Sequence, residues 1–213
     1  MLARVFELYA TRPAFYCELV LQHLQIAGVA ICLAIVLGVG LGVLIAHFKR
    51  LATIVLGVVN VVYTIPSIAL LGVLIPLTGV GNISAIVALT VYALLPIVRS
   101  TYTGLITIDP AVLQAAEGMG STPWQILFRI KLPLAFTVIL SGIRNMVVIT
   151  ISMCGIASFI GAGGIGVAIY RGITTYDMAM TVSGSILIAA LALLCDALIG
   201  MCERFVKRKW RLG

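Results

Sequence analysis

The chain has 213 residues, of which 62% are hydrophobic and only 10% are Asp, Glu, Lys or Arg. Soluble domains run nearer 45–50% apolar with about 25% charged, so a soluble enzyme and a disordered chain are excluded, and continuous apolar runs with a mean hydropathy of +1.21 exclude an outer-membrane barrel. The net charge of +7 does not point to nucleic acid, because the basic residues stand where apolar runs end; what remains is an all-α bundle of membrane helices.

Residues 1–22 carry Arg4, Glu7, Arg12, Pro13 and Glu18, which break up any apolar run and predict an amphipathic lead-in, not a cleaved signal peptide. A hydrocarbon core of about 30 Å needs roughly 20 apolar residues of helix. That length fits at 24–47, 52–77, 83–106, 134–158 and 179–202, five spans within residues 23–202. The first span repeats Ala30, Ala34, Gly38, Gly42 and Ala46 on one face. Small residues there allow close backbone approach, either at a moving interface between subunits or in packing within one.

In the second span, Asn60, Tyr63, Thr64 and Ser67 surround Pro66. Pro66 and, in the third span, Pro96 are expected bends. The fourth span places Ser141, Arg144, Asn145 and Ser152 on or near one face. These two polar stripes are the candidate lining of a passage, the alternative being a hydrogen-bonded network between helices. Arg99 and Asp196 are expected nearer the membrane ends, with Arg99 snorkelling toward the interface.

Lys49 and Arg50 follow the first span, Arg129 and Lys131 lie in the long polar stretch 107–133, and Arg204, Lys207, Arg208, Lys209 and Arg211 crowd the tail 203–213. Five spans put all three clusters on one side, which the positive-inside rule makes cytoplasmic, with the N-terminus outside. The turn at Gly79–Asn82 and the Gly-rich loop 160–178 then face outward. Within that loop Gly161, Gly163, Gly164 and Gly166 match GxGxxG, but a dinucleotide site needs that turn between a strand and a helix. A flexible external loop is the expectation.

No phosphate-cradling GxxxxGK[ST] occurs, and the two histidines, His23 and His47, lie at opposite ends of the first span. The chain is therefore expected to be no enzyme, to bind no cofactor and to hydrolyse no ATP unaided. The five cysteines form no CxxC and have no interleaved His at ligand spacing, so neither a disulfide framework nor a metal site is expected.

The stretch 107–133 is too polar to span. Asp109-Pro110 caps and opens a helix, small Ala115 and Ala116 follow, Gly120 can bend the chain, Pro123 starts a second helix, and Leu132-Pro133 launches span four. This is a compact knob suited to docking into a groove on a soluble partner.

Residues Gln114-Ala115-Ala116-Glu117 followed by Gly120, then a hydrophobic stretch closing on Leu132-Pro133, resemble the EAA-type coupling loop of the permease subunits of ABC importers. Gln114 stands where that pattern has Glu. The segments 64–82, 92–105, 118–127, 141–145 and 157–166 resemble more narrowly the permeases of osmoprotectant importers for glycine betaine, carnitine or choline. The resemblance implies a type I importer bundle like that of methionine permeases in a bacterial cytoplasmic membrane. It implies a second permease copy or paralogue, two cytoplasmic ATPase subunits carrying ATP and Mg and engaged through residues 114–117, 120, 132 and 133, and an extracytoplasmic substrate-binding protein. Membrane lipid is the remaining expected partner. Methionine, another amino acid or a betaine-like compound is the alternative cargo, and a stand-alone channel or secondary carrier is the reading from outside this class.

Overall fold

The computed structural model describes residues 1–210, so Arg211 and the end of the expected tail lie outside the described residues. Ten α-helices are described: α1 (Leu2–Thr11), α2 (Pro13–His47), α3 (Lys49–Thr64), α4 (Ser67–Thr78), α5 (Asn82–Ile106), α6 (Pro110–Gly118), α7 (Pro123–Ile126), α8 (Leu132–Cys154), α9 (Gly166–Thr174) and α10 (Met178–Trp210). A π-helical turn, Leu127–Lys131, joins α7 to α8, and a 3-10 turn, Gly155–Ile160, extends α8. Four helical stretches are long and apolar enough to cross a membrane, and α3 with α4 makes a fifth, broken span.

The N-terminal boundary differs from the expected one. Pro13 has no N–H and restricts the residue before it, so the chain breaks at Arg12 (φ −131°, ψ 48°) and α2 then runs unbroken for 35 residues. Residues 13–22 are therefore the first turns of the first span, not lead-in. Only α1 is separate, and it is tied down. The Tyr9 hydroxyl donates to the Ser183 carbonyl at 2.7 Å, the Tyr9 ring stands edge-on to Tyr16 of α2 at 4.9 Å, and Arg4 lies 3.6 Å from Asp177.

Pro66 is a break and not a bend. Ile65 is extended (φ −66°, ψ 128°), and α3 and α4 meet at 101°. The freed Ile65 carbonyl accepts the Tyr92 hydroxyl of α5. Pro96, by contrast, interrupts nothing, since α5 is helical through it.

Helix α5 is the centre of the bundle, with α2 and α8 packed along it. The small-residue stripe on α2 explains the closeness of one contact: Ala30, Ala34, Gly38 and Gly42 are buried within this chain. A Cβ at Gly38 would overlap the Ile97 side chain, and one at Gly42 would stand 2.5 Å from Thr101 Cβ and 3.2 Å from the Val98 carbonyl. Packing inside one subunit is thus the role of this stripe, and the moving-interface reading is set aside.

Gly42→Val should therefore drive α2 off α5 at a cost of about 1–3 kcal/mol, whereas Gly40→Ala, with nothing within 4 Å of the added methyl, should be neutral or better. Thermal unfolding of the two purified variants in detergent checks this; equal midpoints would remove the stripe from the stability account.

Candidate functional site

Helix α5 meets neighbours on three sides. Ile97 and Thr101 face Gly38 and Gly42 of α2, while Ser100 and Gly104 face Gly142 and Ala135 of α8. Val98 and Tyr102 share an apolar cluster with Ala52, Val55 and Leu56 of α3. Pro96, Arg99 and Thr103 occupy the fourth side, the latter two exposed. On α8, Gly142 faces α5, Arg144 faces α10, as does Gly155 at the start of the 3-10 turn, and Met146 is buried in the cluster that includes α2. Ser141, Asn145 and Ser152, four and seven residues apart and hence on one helical face, are left exposed.

Because α2 covers the backs of both helices, these two exposed strips look out on the same side. Helix α3 closes the far edge with Asn60, Tyr63 and Thr64. The result is a polar groove with α5 as floor and α3 and α8 as walls. Asn60 accepts a 3.0 Å hydrogen bond from Arg99, Tyr63 stands edge-on to Tyr92 at 5.8 Å between ring centroids, and Thr64 and Ser152 donate to carbonyls of their own helices. Ser67 lies past the break, on the first turn of α4.

Arg144 stands apart from the other expected groove residues. Its Nε–H and Nη2–H donate to the two carboxylate oxygens of Asp196 at 2.6 Å each, and its Nη1 lies 3.5 Å from Glu203, which also binds Lys207 at 2.8 Å. Gly200 makes room, since a Cβ there would be 3.0 Å from the guanidinium carbon. The bidentate fork is the strong form of this pairing, and it fastens α8 to α10. Asp196 is therefore a partner in a helix-to-helix network and not a residue that merely approaches a membrane end.

The Gly-rich loop is pinned, contrary to the expected flexibility. Gly161 and Gly164 do have positive φ (77° and 98°). However, the Gly163 N–H donates to Asn82, the Gly164 N–H to Gln22 and the Ile165 N–H to His23 Nδ1. A Cβ at Gly164 would press on His23, and one at Gly166 would overlap the Gly155 carbonyl. His23 is fully buried, and its Nε2 lies 3.0 Å from the Ile151 carbonyl. A carbonyl only accepts and an amide N–H only donates, so the ring carries its proton on Nε2 and is neutral. His23 thus joins α2, α8 and the loop, a role that its position in the sequence did not signal.

The knob is built as a hinge with two fixed ends. The Asp109 carboxylate accepts from Ala111 N–H at 2.8 Å to cap α6. At the other end Gly120 (φ 80°) donates to the Glu117 carbonyl and Ser121 to the Ala116 carbonyl, the paired bonds of a Schellman closure. A capping box of Thr122 and Gln125 starts α7. Ala116 is buried, whereas Gln114, Ala115, Glu117, Met119, Trp124 and Phe128 are exposed. The Trp124 and Phe128 rings stack 5.7 Å apart, giving the knob an apolar contact face. Leu132 and Pro133 are half-buried at the start of α8, so the knob continues into the groove wall through helical backbone.

Reversing the fork tests the network. Arg144→Asp and Asp196→Arg should each lower the folded yield and the unfolding midpoint, while the double variant should recover most of both, as expected of residues in direct contact. Fluorescence-detected size exclusion with a temperature ramp measures this; independent losses in the double variant would mean that the pair does not hold the helices.

The model of one family, described as "Binding-protein-dependent transport system inner membrane component", matches residues 34–211. The chain is 39% identical over 204 residues to the carnitine transport permease protein OpuCD of Listeria monocytogenes, covering 95% of this chain and 92% of that one. It is 44% identical over 190 residues to the osmoprotectant import permease protein OsmW of Salmonella typhimurium (87% and 88% covered), and 40% identical over 216 residues to the choline transport system permease protein OpuBD of Bacillus subtilis (100% and 96%). Among solved structures it is similar to a chain of the inward-facing MetNI methionine ABC transporter, with a TM-score of 0.82, 26% identity and 92% and 98% of the two chains covered. This chain, a multi-pass membrane protein with the bundle of a type I importer, therefore belongs to the family of binding-protein-dependent transport system inner membrane components.

Proposed function

We propose that the chain is the permease subunit of an ATP-driven importer whose cargo is a compatible solute of the glycine betaine, carnitine or choline kind. The chain itself is non-catalytic. ATP and Mg belong to a pair of ATPase subunits that dock on the knob, and cargo arrives from an extracytoplasmic binding protein at the end of the bundle that carries the Gly-rich loop. A second copy, or a paralogous permease, faces the open side of the groove, so that two chains enclose one passage. The knob and the basic tail lie in the cytoplasm and the N-terminus outside, with the tail close to anionic lipid.

One observation carries this reading: an exposed apolar knob continues without a loop, through the π-helical turn, into the helix that forms a wall of the polar groove. Movement of a bound ATPase is thereby handed to α8 as movement of a helix. Such coupling needs different knob contacts in the two transport states, which Met119, Trp124 and Phe128 are placed to make. The same machine carrying methionine or another amino acid is the second reading, favoured by the similarity to the methionine transporter. Purification from native membranes in mild detergent with mass spectrometry of the co-purifying chains tests the assembly, and the ligand of the recovered binding protein decides the cargo. A chain that emerges alone and transports without ATP would overturn the proposal.

Gly120 supplies a sharper test of the knob. No atom lies within 4 Å of a Cβ there, so a substitution acts through backbone conformation alone, at about 1–2 kcal/mol for a residue that disfavours positive φ. Gly120→Val should lose ATPase co-purification and cargo uptake together, whereas Gly120→Asn, which tolerates that conformation, should retain most of both. Normal uptake in the Val variant would show that this closure is not part of coupling.

A further inference from the structure

The outer end of the bundle carries a cap that lies apart from the groove. Helix α1, the first turns of α2, helix α9 and the start of α10 gather there around Tyr16, Leu19, Ile165, Ala168 and Ile188. Between α1 and the turn that joins α9 to α10 is an open cavity of about 580 Å³, whose lining includes Met1, Arg4, Tyr176, Asp177 and Met178.

Tyr176 is the residue of this cap that internal packing does not explain. The Asp177 N–H donates to the Gly172 carbonyl and the Tyr176 N–H to the Ile173 carbonyl, the paired bonds that close a helix over a left-handed residue. Glycine usually fills that position, because a Cβ crowds the backbone there. Here a tyrosine holds it at φ 56°, the one positive φ outside glycine among the described residues, and it is 94% exposed. Strain that no contact within the chain offsets is characteristic of binding sites.

Lipid does not cover the ring. Glu18 of α2 is exposed, and an exposed carboxylate stays out of hydrocarbon, so in the proposed importer the hydrocarbon ends on the cytoplasmic side of Glu18. Tyr16, two residues further out, shares a 2.6 Å hydroxyl contact with Ser183 of α10, and α10 continues outward five residues more to Met178. At 1.5 Å per residue this sets Met178 roughly 10 Å beyond Glu18. A headgroup layer is only about 5–8 Å thick, so Tyr176 and the 72% exposed Met178 reach into water. A second permease copy does not cover them either, since it faces the groove on the side away from α2, whereas the cap is built on α2 and α10.

The cap also carries charge that awaits an answer. Arg12, one turn before Phe15, and Arg171, 5.6 Å from the centre of the Phe15 ring, are exposed and have no carboxylate partner among the described residues. Asp177 faces Arg4, and Glu18 accepts from Gln22. Glu7 is exposed as well, but more than a full turn before Arg12. Two cations flanking an aromatic ring suit carboxylates on a partner, and an exposed tyrosine beside methionine suits an apolar recess.

We infer that this cap is the seat of the extracytoplasmic binding protein, with Tyr176 inserted in an apolar recess of that protein and Arg12 and Arg171 meeting its carboxylates. This rests on the proposed importer reading and adds which residues of the outer face the partner grips. The left-handed turn then has a purpose, which is to aim the ring outward at a neighbour that comes and goes with the cargo.

The test uses the permease and ATPase complex in vesicles and the purified binding protein recovered with it, their affinity being read by co-sedimentation. Tyr176→Gly removes the ring and relieves the backbone, so its unfolding midpoint should equal or exceed that of wild type while affinity falls about tenfold. Arg12→Gln combined with Arg171→Gln should weaken binding by a similar factor and flatten its dependence on salt. Complex yield and ATP hydrolysis without binding protein should match wild type in each case. Unchanged affinity in Tyr176→Gly or in the arginine double variant would overturn the assignment. So would loss of permease pairing, which would mark a contact between copies, or quenching of the added indole of Tyr176→Trp by brominated lipid, which would mark a membrane contact. A wild-type complex that recovers no binding protein would instead defeat the importer reading, a result visible before any variant is made.

Discussion

The close approach of α2 to α5 is the contact on which the rest of the bundle depends. Inside a bilayer, apolar side chains gain nothing by leaving lipid for protein, so helices associate through fit and polar bonds. Gly38 and Gly42 supply the fit, because Ile97 and Thr101 occupy the volume that any side chain on α2 would need. With its back closed by α2, α5 is left three further sides. Two are taken by α8 and α3, and the fourth becomes the floor of the groove. A larger stripe on α2 would displace floor and walls together.

Polar groups in the spans follow from the same scarcity of water. His23 uses both ring nitrogens, Tyr92 takes up the carbonyl released at the α3–α4 break, and Arg144 is matched by Asp196. Each of these joins two segments that are far apart in sequence, so polar bonding substitutes for the hydrophobic adhesion that lipid cancels. The groove breaks this rule. There Ser141, Asn145, Thr103 and Arg99 remain exposed, which distinguishes a surface that awaits something from one that is merely packed.

The five spans, the knob between Asp109 and Pro133 and the polar stripes of the second and fourth spans were legible in the sequence because each depends on local composition or helical spacing. Pro66 was legible as a disturbance but not as a 101° break, since the outcome depends on the Tyr92 hydroxyl being at hand to donate to the freed Ile65 carbonyl. Arg144 and Asp196 were legible only singly. Asp196, Glu203 and Lys207 do recur at intervals of seven and four, one face of α10, and that spacing was the available signal that an arginine on another helix had a partner. His23 gave no such signal: its partners are backbone groups of Ile151 and Ile165, which no side-chain pattern reports. The Gly-rich loop misled for a related reason, since glycine there serves close approach to His23 and Gly155 more than freedom.

The two walls of the groove are held very differently, and this decides which part of the bundle transmits force. Helix α8 buries residues along its whole length, from Ala135 to Cys154, and is forked to α10 by Arg144. Helix α3 buries only Ala52 within this chain and reaches the floor through Asn60 and the tyrosine pair. In the proposed importer a displacement that enters at the knob would travel along α8 and take α10 with it, because separating the two would strand Asp196 without its cation, whereas Glu203 would keep Lys207. Among the described residues α3 makes no comparable bond to α8 or α10 and would be free to lag behind. Width across the groove would then change chiefly between α8 and α3, on either side of Arg99, which is exposed on the floor and bonded to Asn60.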